Sequence, residues 1–462
     1  MEITRLKWPA NHKILPDLDI KLTDASGKPY KTIIIAGDNG LGKTTILNAI
    51  NNTISGISCD FESFEYKIGN NSYIATKKDK EHIQVKKADG EFHDVQLHNR
   101  PDKSLLDFGE IGEMDDFSPQ KFKSILSSAS TEFSISSTSD TEYNLIKQYL
   151  ITLERQDNEE YRARNTALES SGKSLLSISD FNSKFSKLEK FKNTFNKVFE
   201  VLKFNGIKSD IDSTSAIFTK GSNDDIDIDQ LSTGEKQIVF RGSYILSRAQ
   251  NVDIVMVDEP EISMHPSWMK KILQYYQDLI TDKTTGEQKS QLFISTHSDL
   301  LIKKAAETGN ILIIRLTKNG NSLLSNNPDD MVLPSLTSAE INYAVFGISS
   351  IDYHIQLFSQ LHSNIIVNDS NKGRITSADE SIKGQSLYNP QYSRIYEHVH
   401  DKGHITTYET LPCFIRNCID HPGSPDSHGN IQKFSERELE ESIKFLRDLI
   451  IEQNQGRYDY TK

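Results

Sequence analysis

Cysteine is scarce: Cys59, Cys413 and Cys418 are the only three in 462 residues. They cannot build a disulfide framework, and a reducing cytoplasm is the compartment they suit. Long apolar runs are missing too. Nowhere do about 18 uninterrupted apolar residues occur, the length a membrane-spanning helix needs, and Met1 to Leu22 holds no apolar signal-peptide core. Secretion and a membrane span are therefore not expected. Nor is there an excess of basic charge: Lys plus Arg number 53 against 65 for Asp plus Glu, a formal net charge of −12. That balance speaks against a protein whose main task is coating nucleic acid, while leaving room for a local basic groove. What is present, 36% hydrophobic and 26% charged residues at a mean hydropathy of −0.52, describes a soluble globular chain. At about 100–200 residues per domain, two or three domains are expected.

The first hundred residues read as short strands between turns. Ile33-Ile34-Ile35-Ala36 is a buried-strand run, and Gly69-Asn70-Asn71 and Asp89-Gly90 are hairpin-type turns. Ser127 to Thr141 is rich in Ser and Thr and reads as a loop, and a helical insertion is expected over about 140–205. Within it Phe181, Phe185, Leu188, Phe191, Phe195, Val198 and Leu202 recur at steps of three and four. They form one apolar stripe, either core packing or one side of a paired helical arm. At 1.5 Å per residue such an arm reaches roughly 35 Å at most. Gly221 to Asp229 is an acidic connector, and buried strands follow at Ile254–Val257, Gln291–Ile294 and Ile311–Ile314. Composition changes near Pro334, and seven of the 13 histidines lie beyond residue 350. The chain therefore divides into 1–334 and a mainly helical 335–462, with amphipathic helices over Ile341–Leu361 and Phe434–Ile450.

Gly37-Asp38-Asn39-Gly40-Leu41-Gly42-Lys43-Thr44 fits the G-x-x-x-x-G-K-[ST] pattern, directly after a strand and before a helix opening at Thr45. Glycines let the backbone curl so that its N–H groups point at phosphates, and the helix N-terminus adds a positive dipole end. Asn39, Gly40, Gly42, Lys43, Thr44 and Thr45 are the expected phosphate contacts, with the Thr44 hydroxyl on Mg²⁺. A chance Gly-rich turn would lack this strand–loop–helix setting. Ile254-Val255-Met256-Val257-Asp258-Glu259 ends a buried strand in two carboxylates. Such acids are common at strand ends, but beside Lys43 and Thr44 they make Asp258 the metal carboxylate and Glu259 the residue that polarises the attacking water. Leu231-Ser232-Thr233-Gly234-Glu235 precedes a helix, and a Ser-capped helix start explains it in isolation. His297 follows a strand, where a lone His is more often a structural hydrogen-bonder.

The Leu231–Glu235 run resembles the signature motif of ABC-type ATPases, found also in SMC, RecF and Rad50-like proteins. The resemblance covers about residues 1–320, with its motifs in family order. It implies an α/β fold: an ABC-type P-loop ATPase head with an antiparallel β lobe, a short helical insertion and, beyond it, a mainly helical C-terminal domain. In that family the signature caps the γ-phosphate held by the partner subunit, so Ser232 and Gly234 act in trans. A His at the place of His297 meets the γ-phosphate and the catalytic Glu. The family therefore implies ATP and Mg²⁺ as ligands and a homo-oligomer, at least a dimer with ATP bound. Gln120 is the candidate for its Q-loop glutamine. Asp258-Glu259-Pro260-Glu261-Ile262-Ser263-Met264-His265-Pro266 departs from transporter ATPases and is similar to RecF-like and OLD-like ATPases of bacterial defence.

Two readings compete for the C-terminal segment. Arg416-Asn417-x-x-x-His421 resembles the motif of HEPN ribonucleases, in which His acts as general acid or base and Arg stabilises the phosphate. The same residues also serve as ordinary helix-end hydrogen-bonders, with Pro422 and Gly423 ending the helix. The segment is similar as well to ATPase subunits of Septu anti-phage systems (PtuA) and retron-associated relatives, which work with a separate HNH nuclease subunit (PtuB). That resemblance implies a switch subunit reaching nucleic acid through its partner. The alternatives are a self-contained ATP-gated ribonuclease and a RecF-like DNA-repair ATPase. A zinc site from Cys413, Cys418, His421 and His428 matches no standard finger spacing.

Overall fold

Thr32–Ala36, Ile254–Asp258 and Gln291–Thr296 are buried along their whole length, the behaviour of parallel strands covered on both faces. In the computed structural model they lie in one six-stranded sheet. Its order is Gly320–Leu323, Leu312–Thr317, Thr32–Ala36, Gln291–Thr296, Ile254–Asp258, Ser124–Ser127. All neighbours are parallel except the edge hairpin Leu312–Thr317/Gly320–Leu323. The structure describes residues 1–79, 82–88, 90–96, 124–128, 139–209, 214–248, 252–317, 320–323, 331–368, 375–400 and 404–454. They belong to two units, Met1–Ser325 and Asn326–Lys462.

In the first unit a second, antiparallel sheet runs Asp19–Lys21, Glu2–Lys7, Ser63–Ile68, Asn71–Lys77, His82–Lys87, His93–Gln96. Alternate residues, among them Phe64, Tyr66, Tyr73, Ala75, Ile83 and Val85, enter the core shared with the central sheet, as period-2 patterning requires. Gly69-Asn70 forms the expected tight turn between Ser63–Ile68 and Asn71–Lys77; Asp89 lies outside the described residues. The fully buried Gln291 side chain ties the sheets together. Its Nε2 donates to Ile3 O (3.0 Å) and Tyr30 O (2.8 Å), and its Oε1 accepts from Ile3 N (2.8 Å).

Three expectations change here. Ser127 belongs to a strand, Ser124–Ser127, pairing in register with Ile254–Val257. The apolar stripe does not follow one helix. Phe181 sits on Ile178–Lys184, Phe191, Phe195 and Val198 sit on Lys187–Val198, and Leu202 opens a strand. The break is chemical: Ser186 Oγ accepts from Glu189 N (3.0 Å), while the Asp157 carboxylate accepts from Lys187 N (2.8 Å), Leu188 N (3.0 Å) and Ser186 Oγ (2.6 Å). A new helix must start there. The helix Ser139–Ser170 has 32 residues, about 48 Å at 1.5 Å per residue, longer than the reach expected. Its first half packs along Thr233–Arg248 through Ile146, Leu150 and Leu153, and its polar second half is mostly exposed.

The second unit packs helices Ser338–Phe346, Ile351–Asn368, Ile375–Lys383, Leu411–Asp420 and Glu436–Asn454 with the hairpin Ser393–Val399/Ile405–Thr410. The helix expected over Ile341–Leu361 is two helices. Gly347, at a left-handed φ of 69°, caps the first, with the Gly347 and Ile348 amides returning to Tyr343 O and Asn342 O. His354 is fully buried, with Nε2 3.0 Å from Ser442 Oγ. Burial, helped by the nearby Arg416 charge, lowers its pKa from 6.5 to about 3. The folded chain therefore takes up this proton less readily than the unfolded chain. Stability is full above about pH 6.5 and falls as the pH drops from there toward 3, with a limiting slope of about 1.4 kcal/mol per pH unit. Thermal midpoints of the wild type should fall between pH 6.5 and 5, and His354→Gln should flatten that slope.

Candidate functional site

Parallel strands bring their carboxyl ends to one edge, the place where open α/β sheets hold ligands. Here Ala36 pairs with Thr296 and Asp258 with Ser295, so the segments after Ala36, Asp258 and Thr296 converge. The loop Gly37–Gly42 curls over this edge. Gly42, at a left-handed φ of 93°, starts the helix Lys43–Ile54, whose free N–H groups and dipole then face the loop. Asn39 and Gly40 stand exposed at the tip, and Gly42, Thr44 and Thr45 are half-buried. Lys43 is 4% exposed; its Nζ donates to Gly37 O (2.8 Å) and Asp38 O (3.1 Å) and lies 3.8 Å from Glu259 Oε1.

Asp258 is the hub. Thr44 Oγ1 donates to its Oδ2 (2.9 Å) and lies 3.2 Å from Oδ1, which also accepts from Ser295 Oγ. A hydroxyl beside a carboxylate is an all-oxygen donor set, which fits Mg²⁺ with water and phosphate oxygens completing the shell. Behind it Arg241, fully buried, donates from Nη1 to Asp258 O (2.8 Å). Arg241→Met should cost about 2–4 kcal/mol, because an acceptor in the site's floor loses a charged donor. Urea midpoints read the loss.

Glu259 has a left-handed φ of 45°, a conformation costing about 1–3 kcal/mol outside glycine. Its amide donates to Ser295 O (3.1 Å) and Ser295 Oγ (3.1 Å). His297 Nδ1 lies 3.5 Å from both Glu259 Oε1 and Glu261 Oε1. Glu261, buried, accepts from Thr296 Oγ1 (2.6 Å) and His297 N (2.8 Å). Lys43, Thr44, Asp258, Glu259 and His297 are thus brought together. Ser295, Glu261 and Arg241 were missed as functional residues. Glu261 stands inside the Asp258–Pro266 run already quoted and Ser295 directly follows the Gln291–Ile294 strand, but their roles depend on strand register.

Ser232 is exposed, and it forms a capping box in its own chain: Ser232 N donates to Glu235 Oε2 (2.7 Å), and Glu235 N lies 3.5 Å from Ser232 Oγ. Gly234 lies against the loop after Asp258, where a Cβ would stand 2.3 Å from Ser263 O. Beside Ser232 opens a groove of about 550 Å³, lined by Phe199, Val201, Lys220, Ser232 and Trp268 among others and by no residue of Gly37 to Thr44. Gln120 lies outside the described residues.

In the second unit Arg416 pairs with Asp420 one turn on, and Asn417 Nδ2 donates to Cys413 O (2.7 Å). His421 caps the helix Leu411–Asp420, and its ring packs at 5.0 Å from that of His398, itself 4.4 Å from His400. No direct contact joins Arg416 to His421 among the described residues. Cys413 and Cys418 are buried, which raises both thiols, that of Cys418 to about 11. Such thiols resist the deprotonation a zinc ligand needs. Among the described residues no His, Cys, Asp and Glu cluster is arranged to hold a metal ion, and no helix is long and apolar enough to cross a membrane.

A family model described as "AAA domain, putative AbiEii toxin, Type IV TA system" matches residues 33–303. Among solved structures the chain is similar to the SmcHead bound to the C-winged helix domain of ScpA (14% identity, TM-score 0.39, covering 70% of this chain and 98% of that one). It is also similar to the Smc head domain with an extended coiled coil bound to the C-terminal domain of ScpA from Pyrococcus furiosus (14%, TM-score 0.35, 70% and 96%). A third is the SMC head domain from Thermotoga maritima (13%, TM-score 0.34, 70% and 99%). No curated protein matches.

Proposed function

Because the chain belongs to this AAA-domain family, whose model spans more than half of it, we propose that it binds and hydrolyses ATP as the switch subunit of a Septu-like anti-phage system. The observation that carries the reading is the convergence of Lys43, Thr44, Asp258, Glu259 and His297 on one sheet edge. Lys43 and the loop amides hold the phosphates, and Thr44 and Asp258 hold Mg²⁺. Bound there, Mg²⁺ neutralises charge developing on the phosphate oxygens. Glu259 accepts the proton of the attacking water, and His297, within 3.5 Å of it, senses the γ-phosphate. Ser232 and Gly234 complete the site of a second copy. The exposure of Ser232, and a signature groove that no residue of the chain's own phosphate loop lines, support action in trans. ATP then closes two chains head to tail and hydrolysis releases them, a two-state switch.

The family's description as a toxin of a Type IV TA system supports a chain that acts with a second component. We assign that component as an HNH nuclease of the PtuB kind, through which nucleic acid is reached, in the cytoplasm. The test is purification from the native host. ATP turnover by the chain, abolished in Lys43→Ala, together with an HNH nuclease retained through gel filtration, is the expected result. Absence of turnover sinks the ATPase reading, and turnover without any nuclease partner sinks the switch-subunit reading.

A further inference from the structure

At the end of the central sheet opposite the nucleotide loops, a second cavity of about 440 Å³ opens. Val252 and Ser290, which line it, directly precede the region where Ile254–Asp258 and Gln291–Thr296 begin, so it lies at their amino-terminal edge. Its walls come from the helices Ser139–Ser170, Ile178–Lys184 and Lys187–Val198 and from the loop between Pro266–Ile280 and Gln291–Thr296. We infer that this cavity is a binding site for the phosphate groups of an anionic ligand, separate from the ATP site.

Charge is the first argument. Six cations, Arg164, Lys184, Lys187, Lys190, Lys283 and Lys289, line the cavity against two carboxylates, Glu160 and Asp282, in a chain whose net charge is −12. Both carboxylates are already engaged. Glu160 accepts two bonds from Arg164 (2.7 and 2.9 Å), and Asp282 pairs with Lys289 while accepting from Thr284 N (2.7 Å) and Thr285 N (3.1 Å). Lys184 and Lys283 have no carboxylate within ion-pair distance among the described residues. Lysines of an ordinary solvated face spread apart into water, whereas these converge on a concavity from separate elements. Lys190 carries the second argument. Its Nζ donates to Thr281 O (2.6 Å) inside the cavity wall. Burial, with Lys283 and Lys289 close by, lowers its pKa to about 8 despite Asp282 and Asp278. Holding this ammonium charged is thus costly, and an anion in the cavity offsets the cost. Arg164, its Cζ 3.8 Å from the Phe185 ring centroid, spends Nε and Nη2 on Glu160, as Lys289 is spent on Asp282, so the cations left to meet an anion are Lys184, Lys187, Lys190 and Lys283.

The phosphates belong either to a compact polyphosphate or to a nucleic-acid strand, and two probes tell them apart. The full-length Lys43→Ala chain, disabled at the ATP loop, is titrated with sodium tripolyphosphate by calorimetry and with a short fluorescein-labelled single-stranded RNA by anisotropy. At least one probe should bind, with affinity falling steeply as salt rises. Adding Lys184→Glu and Lys283→Glu, two exposed positions, should weaken it at least about tenfold, a loss of about 1.4 kcal/mol. The milder pair Lys184→Gln and Lys283→Gln should act in the same direction, with thermal midpoints showing that each chain is folded. The probe that binds identifies the source of the phosphate. Binding of neither probe, or binding indifferent to the charge reversal, overturns the assignment.

Discussion

Replacing Glu259 by Gln should leave ATP binding intact and lower turnover by about 10²–10⁴-fold, the range expected when a positioned general base is lost. The side chain keeps its size and its hydrogen-bonding reach, so the strained backbone at Glu259, with its amide on Ser295, has no reason to rearrange. What disappears is the ability to accept a proton from water. The neighbours sharpen the prediction. Lys43 lies 3.8 Å and His297 3.5 Å from the Glu259 carboxylate, so neutralising it removes a negative charge beside the Lys43 ammonium and the phosphate loop. ATP affinity should therefore hold or rise while kcat collapses. Single-turnover hydrolysis beside equilibrium binding of a fluorescent ATP analogue separates the two. Equal loss of binding and turnover would instead mark Glu259 as a ground-state ligand.

Gly234→Ala should be as damaging, for a different reason. An added Cβ would stand 2.3 Å from Ser263 O and 3.4 Å from the Trp268 ring. The obstacle is backbone, and Ser263 itself holds a left-handed φ of 62°, so the loop from Glu261 to Pro266 must shift. Overpacking of this kind costs about 1–3 kcal/mol, visible as a lower thermal midpoint. The functional loss should exceed it. Hydrolysis should fall at least about tenfold under conditions where the chain is folded, because the displaced signature no longer presents Ser232 and the Gly234 amide to a second copy. ATP binding to the chain's own loop, measured in the same variant, should survive. If turnover tracked the folded fraction alone, Gly234 would be a packing residue and nothing more.

The parts legible in the sequence are those whose chemistry is local. A phosphate loop must place its glycines, lysine and threonine within one loop and one helical turn, so Gly37 to Thr45 can be read without knowing what surrounds them. The strand ending in Asp258-Glu259 is legible for the same reason: four apolar residues and then two acids in a row. What escaped depends on partners far along the chain. Ser124–Ser127 holds two apolar residues between two serines and becomes a strand because Ile254–Val257 lies beside it. The phenylalanine stripe looked continuous because periodicity cannot register Asp157 reaching the Ser186 hydroxyl and the Lys187 and Leu188 amides from some thirty residues away. Ser295 and Glu261 gain their roles from sheet register, which sets Ser295 against Asp258 and so carries Thr296 and His297 to Glu261. Gly347 was a visible stop signal inside an apolar pattern that outweighed it.

The central claim is that ATP joins the loop of one chain to the signature of another, and cross-linking tests it most directly. Asn39 and Ser232 are both exposed, while Cys59, Cys413 and Cys418 are buried, so thiols introduced as Asn39→Cys and Ser232→Cys are the ones a short bismaleimide reaches. In a Glu259→Gln chain carrying both, ATP with Mg²⁺ should produce covalently joined chains, and ADP or no nucleotide should not. A chain that binds ATP yet forms no nucleotide-dependent link between subunits, or links only within itself, would contradict the account.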